Sequence, residues 1–136
     1  MDIGVPAGAK GPPLHHHGFD ETSCVLEGEL NFQLEDELIG RKGGEPAFAP
    51  RHVPHAFANL SGTGPRVLIV CMPAGFGRYF DRIAAQEAGV DPPPEATGPW
   101  PLVSVVGPRI GEAQSDGARY TLRTTSRLVQ CAHCKA

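Results

Sequence analysis

Residues 14–21 read LHHHGFDE, three histidines in a row with a glutamate four positions after the last. The stretch is a tag remnant, a solvated loop, or half of a metal site. Tags are longer and sit at a chain end. On an extended chain, successive side chains alternate between faces. His15 and His17 then share one face and His16 takes the other. Glu21 has the parity of His15 and His17, although Gly18 permits a loop that breaks strict alternation, and Asp20 would replace Glu21 after a one-residue shift. Two imidazoles and a carboxylate on one face suit a divalent transition metal. A further ligand has to come from elsewhere in the fold. His55, in PRHVPHAFAN (50–59), is the strong candidate, because it opens an extended stretch that can cross near the first.

The flanks of both stretches read as short strands between turns. TSCVLEG (22–28) is apolar and β-branched, and LNFQLED (30–36) alternates with Leu30, Phe32 and Leu34 on one face. The link Glu27-Gly28-Glu29 predicts a hairpin between them. GRKGGEP (40–46) and LSGTGP (60–65) are turn clusters, and PAFAP (46–50) and HAFAN (55–59) are short extended pieces. RVLIVCM (66–72) is a continuous apolar run, expected to be buried on both faces. Strands at this spacing predict an all-β sandwich or barrel. From Gly75 to Ala88 the residues Phe76, Tyr79, Phe80, Ile83 and Ala84 recur at helical spacing, and Gly89 suits the helix end. This amphipathic helix is expected to pack on the barrel. LVSVV (102–106) predicts one more strand, at a sheet edge. Residues 1–106 therefore form one domain, and 107–136 a poorly ordered extension.

Composition narrows the function. The chain has 136 residues, 12 basic and 15 acidic, with a formal charge of −3. No basic stripe is present, so nucleic acid is not an expected partner. The apolar run Val67 to Met72 is far too short to cross a membrane, and no secretory signal is evident at the start. Cys24 and Cys71 lie in apolar runs and read as reduced core thiols, so the expected compartment is cytoplasmic. CAHC (131–134) has half the spacing of a zinc site and no second half.

Several spacings agree at once with a known pattern. His15, His17, Glu21 and Gly28 resemble the first motif of the cupin superfamily. Gly44, Pro50, His55 and Asn59 resemble the second, with His52 where a turn glycine is usual. LEGEL, PRHVPHAF and PAGFGRYF look like a quercetin-dioxygenase-like subgroup. The resemblance implies a small β-barrel (a double-stranded β-helix or jelly roll) with one C-terminal amphipathic helix. It implies one divalent metal (Fe, Mn, Ni, Co, Cu or Zn) held by His15, His17, Glu21 and His55. Glu21 would also serve as a catalytic base if it left the metal. Asn59 is expected to close a turn or orient a ligand, His16 to face away, and His52 to sit in an exposed turn.

Three functions follow as expectations. The first is a dioxygenase acting on a small aromatic or enol-type molecule. The second is an oxygen-independent Lewis-acid enzyme, a polyketide cyclase or isomerase. The third is a pocket that binds a small molecule without turnover, lined by Cys24, Phe32, Phe48, Phe57 and Ile69. Only about ten residues precede Gly11, fewer than the leading strands of a full barrel require. The expected assembly is therefore a homodimer, with exchange of N-terminal segments as one route.

Overall fold

The computed structural model describes residues 1–94 and 103–112. In chain order the elements are β1 (Asp2–Gly4), β2 (His15–His16), β3 (Asp20–Glu27), β4 (Glu29–Leu34), β5 (Glu37–Lys42), β6 (Pro46–Ala49), β7 (His55–Ala58), β8 (Arg66–Met72), α1 (Gly77–Ala88) and β9 (Ser104–Val105). Two antiparallel sheets face each other. One has the order β1-β8-β3-β6, the other β5-β4-β7-β2-β9. The fold is all-β with one helix, as expected. Among the described residues the sheets form a two-layer sandwich and not a closed barrel. No described helix is long and apolar enough to cross a membrane.

Period-two patterning builds the interior. On β3, Glu21, Ser23 and Val25 are buried while Thr22 and Cys24 are half-buried on the outer face. Val25, Ala47, Val67 and Ile69 from the first sheet meet Leu30 and Phe32 from the second, with Val5 closing one end. A second cluster lies on the outer face of the five-stranded sheet. There Leu14, Ala56 and Ala58 pack against Ile110, with Leu38 alongside.

Several expectations change. β3 and β4 do not form a hairpin: β3 pairs with β6 and β8, β4 with β5 and β7. Gly28 instead carries the chain from one sheet to the other. Its φ is +78°, and a Cβ there would meet Pro65 Cα at 3.0 Å. The hairpin partner of β4 is β5, whose C-terminal half falls within the predicted turn GRKGGEP. β8 is buried on one face only: Val67 and Ile69 point in, Val70 and Met72 point out. Cys24 and Phe48 also face outward, so neither lines the interior. β1 pairs with β8 of its own chain, so the first residues fill the edge for which exchange was invoked.

Helix α1 forms where expected and ends at Gly89, in the left-handed conformation with φ 67°. Its hold on the sandwich is slighter than expected, with only Ala85 buried within it. Phe76, just before it, meets Phe19 at a ring separation of 4.9 Å, while Tyr79 stacks on Phe76 and Phe80 meets it edge-on. β9 forms the predicted edge strand on β2. Residues 107–112, which begin the stretch read as an extension, continue from Val106 across the outer face of the five-stranded sheet. Val106 N donates to Leu14 O at 2.8 Å, Leu14 N donates to Pro108 O at 3.0 Å, and Ile110 is buried. The rest of that stretch, CAHC included, lies outside the described residues.

Candidate metal centre

Strand pairing brings the histidines together. His15 on β2 lies opposite His55 on β7 in the antiparallel register, with ring centroids 4.6 Å apart. His17, just past β2, approaches His55 at 4.5 Å. One ring nitrogen from each of His15, His17 and His55 falls within 4.8 Å of the others, and all three residues are buried. His16 faces away, beside His52, as alternation predicts.

Each of the three rings is fixed by a backbone carbonyl two residues away. His15 Nδ1 donates to Pro13 O at 2.8 Å, His17 Nδ1 to Phe19 O at 2.9 Å, and His55 Nδ1 to Val53 O at 2.8 Å. A carbonyl oxygen can only accept, so each Nδ1 carries the proton in these bonds. The neutral ring then presents an Nε2 lone pair to the site. Nε2 of His17 and of His55 is buried and has no hydrogen-bond partner. Burial pulls the His55 pKa down to about 4, against the opposing pull of the Val53 carbonyl and Glu21. Burial lowers that of His15 as well. Both rings are therefore neutral near pH 7.

Glu21 reaches the same space from the other sheet. Its Oε2 lies 3.3 Å from His17 Nε2 and 4.0 Å from His55 Nε2, without hydrogen-bond alignment. Burial pushes its pKa up, but the nearby His17 ring, and the positive charge the facing histidines take up in acid, hold it below the usual carboxylate range. A carboxylate that faces unprotonated Nε2 lone pairs is an arrangement short of a cation. Orphaned buried nitrogens, fixed tautomers and a carboxylate in one place fit a divalent metal, so these three histidines could hold one. Asp20 lies outside the cluster. It forms an ion pair with Arg51 at 2.7 Å, and this pairing lowers its pKa to about 2.

The remaining predicted residues have clear positions. Asn59 is fully buried and closes the turn after β7: its Nδ2 donates to Val5 O and Pro6 O, and its Oδ1 accepts from Ser61. It makes no contact with the site histidines. His52 is exposed with φ 66°, so it keeps the left-handed turn that a glycine would favour. The Cys71 thiol is pushed up to about 12 by burial and by Glu21, which leaves it inert.

Two neighbours escaped the sequence reading. Phe19 stacks on His17 with centroids 3.6 Å apart and planes 5° from parallel. Ser23 Oγ donates to Glu21 Oε1 at 3.4 Å. The parity that places Glu21 also places Ser23 two residues on, so that signal was available. The same parity covers Phe19, but its stacking on His17 depends on how the chain turns at Gly18, which parity does not give. A cleft of ≈ 250 Å³, open to solvent, adjoins the centre. Glu21, Ser23 and His55 line it together with Phe32 and Phe57, and the small side chains of Ala47 and Ala49 leave it room.

Residues 1–71 match the Cupin domain family. Among solved structures, TT1209 from Thermus thermophilus is 30% identical, over 52% of this chain and 67% of that one, with a TM-score of 0.48. An RmlC-like cupin from Shewanella frigidimarina is 29% identical, over 54% of this chain and 63% of that one, at 0.49. The polyketide cyclase RemF from Streptomyces resistomycificus is 29% identical, over 52% of this chain and 50% of that one, at 0.47. This chain thus spans less than two thirds of the last two structures. A search of curated proteins finds no match. The family match runs through both histidine stretches and covers more than half of the residues, and on that ground the chain belongs to the cupin family.

Proposed function

We propose that the chain is a metal-dependent enzyme, a dioxygenase of the quercetin-dioxygenase-like kind, that acts on a small enol-type or aromatic compound. The observation that carries this reading is the convergence of three carbonyl-fixed imidazoles on one buried point beside a carboxylate. His15, His17 and His55 would hold the ion, with Glu21 as a fourth ligand. A bound redox-active divalent ion supplies a Lewis-acidic centre with positions open to substrate and dioxygen.

The chain's own residues bind and orient. Glu21 stays ionised near pH 7 and is placed to accept a proton from an acidic enol or phenol hydroxyl. Ser23 holds Oε1, which leaves Oε2 turned toward the histidines. Phe32 and Phe57 keep one wall of the cleft apolar.

A second reading, an oxygen-independent isomerase or cyclase, draws on a separate observation. Glu21 stands outside the three-histidine cluster and is free to act as the base beside a Lewis-acidic ion. One assay separates the two readings. The metal-loaded protein is offered small β-diketones, catechols and flavonols in an oxygen electrode, and again anaerobically. Oxygen consumption with the small enols supports the dioxygenase. Conversion that persists without oxygen replaces it with the second reading. Thermal stabilisation with no conversion in either arm leaves only a binding module.

A further inference from the structure

We infer that Phe19 is a positioning residue of the metal centre, a role that rests on the reading of His15, His17 and His55 as metal ligands. Laid flat on His17, it fixes the plane of that ring and so the direction of its Nε2 lone pair. Phe19 is 2% exposed, and its ring centroid lies 3.6 Å from that of His17, with the planes 5° from parallel. The three histidine rings, in contrast, meet one another at 53° to 73°.

His17 differs from the other two ligands in its backbone. His15 and His55 sit opposite each other in the ladder of β2 and β7. His17 follows β2, where the chain bends at Gly18. Its carbonyl accepts from His52 N at 2.7 Å, a bond that holds the backbone and leaves the ring to be oriented by other means. Phe19 supplies two holds on that ring. Its carbonyl accepts from His17 Nδ1 at 2.9 Å, which fixes one edge. A single hydrogen bond still lets the ring tilt about it, and the flat contact with the Phe19 ring removes that freedom. The contact also favours the loaded state. An imidazole that gives its Nε2 lone pair to a divalent cation becomes electron-poor, and the negative face of a benzene ring attracts it more strongly than it attracts a neutral imidazole.

Phe19 is braced in turn by the entry to α1. Phe76 packs on it at 4.9 Å and reaches His17 at 6.2 Å. Tyr79 lies parallel to Phe76 within 10° at 5.5 Å, and Phe80 meets it edge-on at 5.2 Å. The helix buries only Ala85 within its own span, so it adds little to the general core. Its aromatic start contributes more, because it flanks the ring that lies on a metal ligand.

Calorimetric titration of Co(II) into the chelator-treated full chain, with the visible Co(II) spectrum recorded beside it, tests this role. Phe19→Leu keeps the apolar bulk and removes the flat face, so it should bind Co(II) about tenfold more weakly and with an altered spectrum. Phe19→Tyr keeps the face and should stay within about twofold of the wild type. Phe76→Leu, one ring further out, should cost about threefold, and it decides the matter if Phe19→Leu does not fold. Val67→Ala, in the core cluster away from the histidines, lowers stability without touching the centre and should bind Co(II) as the wild type does. Wild-type affinity and spectrum in the folded leucine variants would overturn the inference and leave the metal centre standing. An equal loss in Val67→Ala would overturn it too, since the effect would then be one of stability. A wild-type chain that takes up no Co(II) would overturn the metal reading itself, and the role of Phe19 with it.

Discussion

The five-stranded sheet holds His15 and His55 in register on adjacent strands and is covered on both faces, by the other sheet inside and by Ile110 outside. The four-stranded sheet carries Glu21 and Ser23 on β3, with an apolar outer face that nothing in the described chain covers. The nitrogen donors thus belong to one well-packed layer, and the carboxylate is brought to them across the sandwich. The difference teaches that strand pairing sets His15 against His55, with His17 following in the segment just past β2. The position of Glu21 depends on how the two layers pack.

If that division holds, the largest effect belongs to the histidines. His55→Ala should weaken Co(II) or Zn(II) binding by about 100-fold or more, whereas Glu21→Gln should cost about tenfold, as titration calorimetry would show. Equal losses in the two variants would break the comparison. In stability, Ile110→Ala should cost about 2–4 kcal/mol in urea denaturation, because it opens a cavity on the covered face. Val70→Ala on the uncovered face should stay within about 0.5 kcal/mol in dilute solution. Asn59 ties the segment after β1 to the turn after β7, and Asn59→Ala should cost about 2 kcal/mol, because it removes the side-chain donor of the buried Val5 carbonyl.

Acid should weaken the metal-free protein. The folded pKa of His55, about 4, lies below its ordinary 6.5, so the unfolded chain binds the extra proton first. Stability is full above pH 6.5 and falls as pH drops toward about 4. The lowered pKa of Glu21 adds in the same direction at the acid end of that window. A melting temperature of chelator-treated protein that rises on acidification from pH 7 to 5 would contradict this account. The smallest effect concerns the turn before β7: His52→Gly should gain up to about 1 kcal/mol by relieving its left-handed backbone.

Much of this was legible in the sequence because alternation reports which side chains share a face. That rule placed His15, His17 and Glu21 together and turned His16 away, while a continuous apolar run marked β8 and Gly89 marked the end of α1. It cannot report which strand pairs with which. Both 22–28 and 30–36 have one apolar face, and a hairpin would satisfy that pattern as well as the crossing at Gly28 does. A continuous apolar run such as 66–72 likewise does not say whether its second face meets another layer or is left outside. β1 is only three residues long, too short for any periodicity. The covering role of Ile110 had no local signal at all, because its partners Leu14, Ala56 and Ala58 are distant in the chain.

The central claim is that the three histidines form a metal centre, and metal content tests it most directly. Untagged protein purified without chelator, and after supply of Fe(II), Mn(II), Co(II) or Zn(II), would be analysed beside His55→Ala. The account predicts about one tightly held divalent ion per chain, lost in the variant. Metal-free protein after every supply, or equal metal in both proteins, would contradict it.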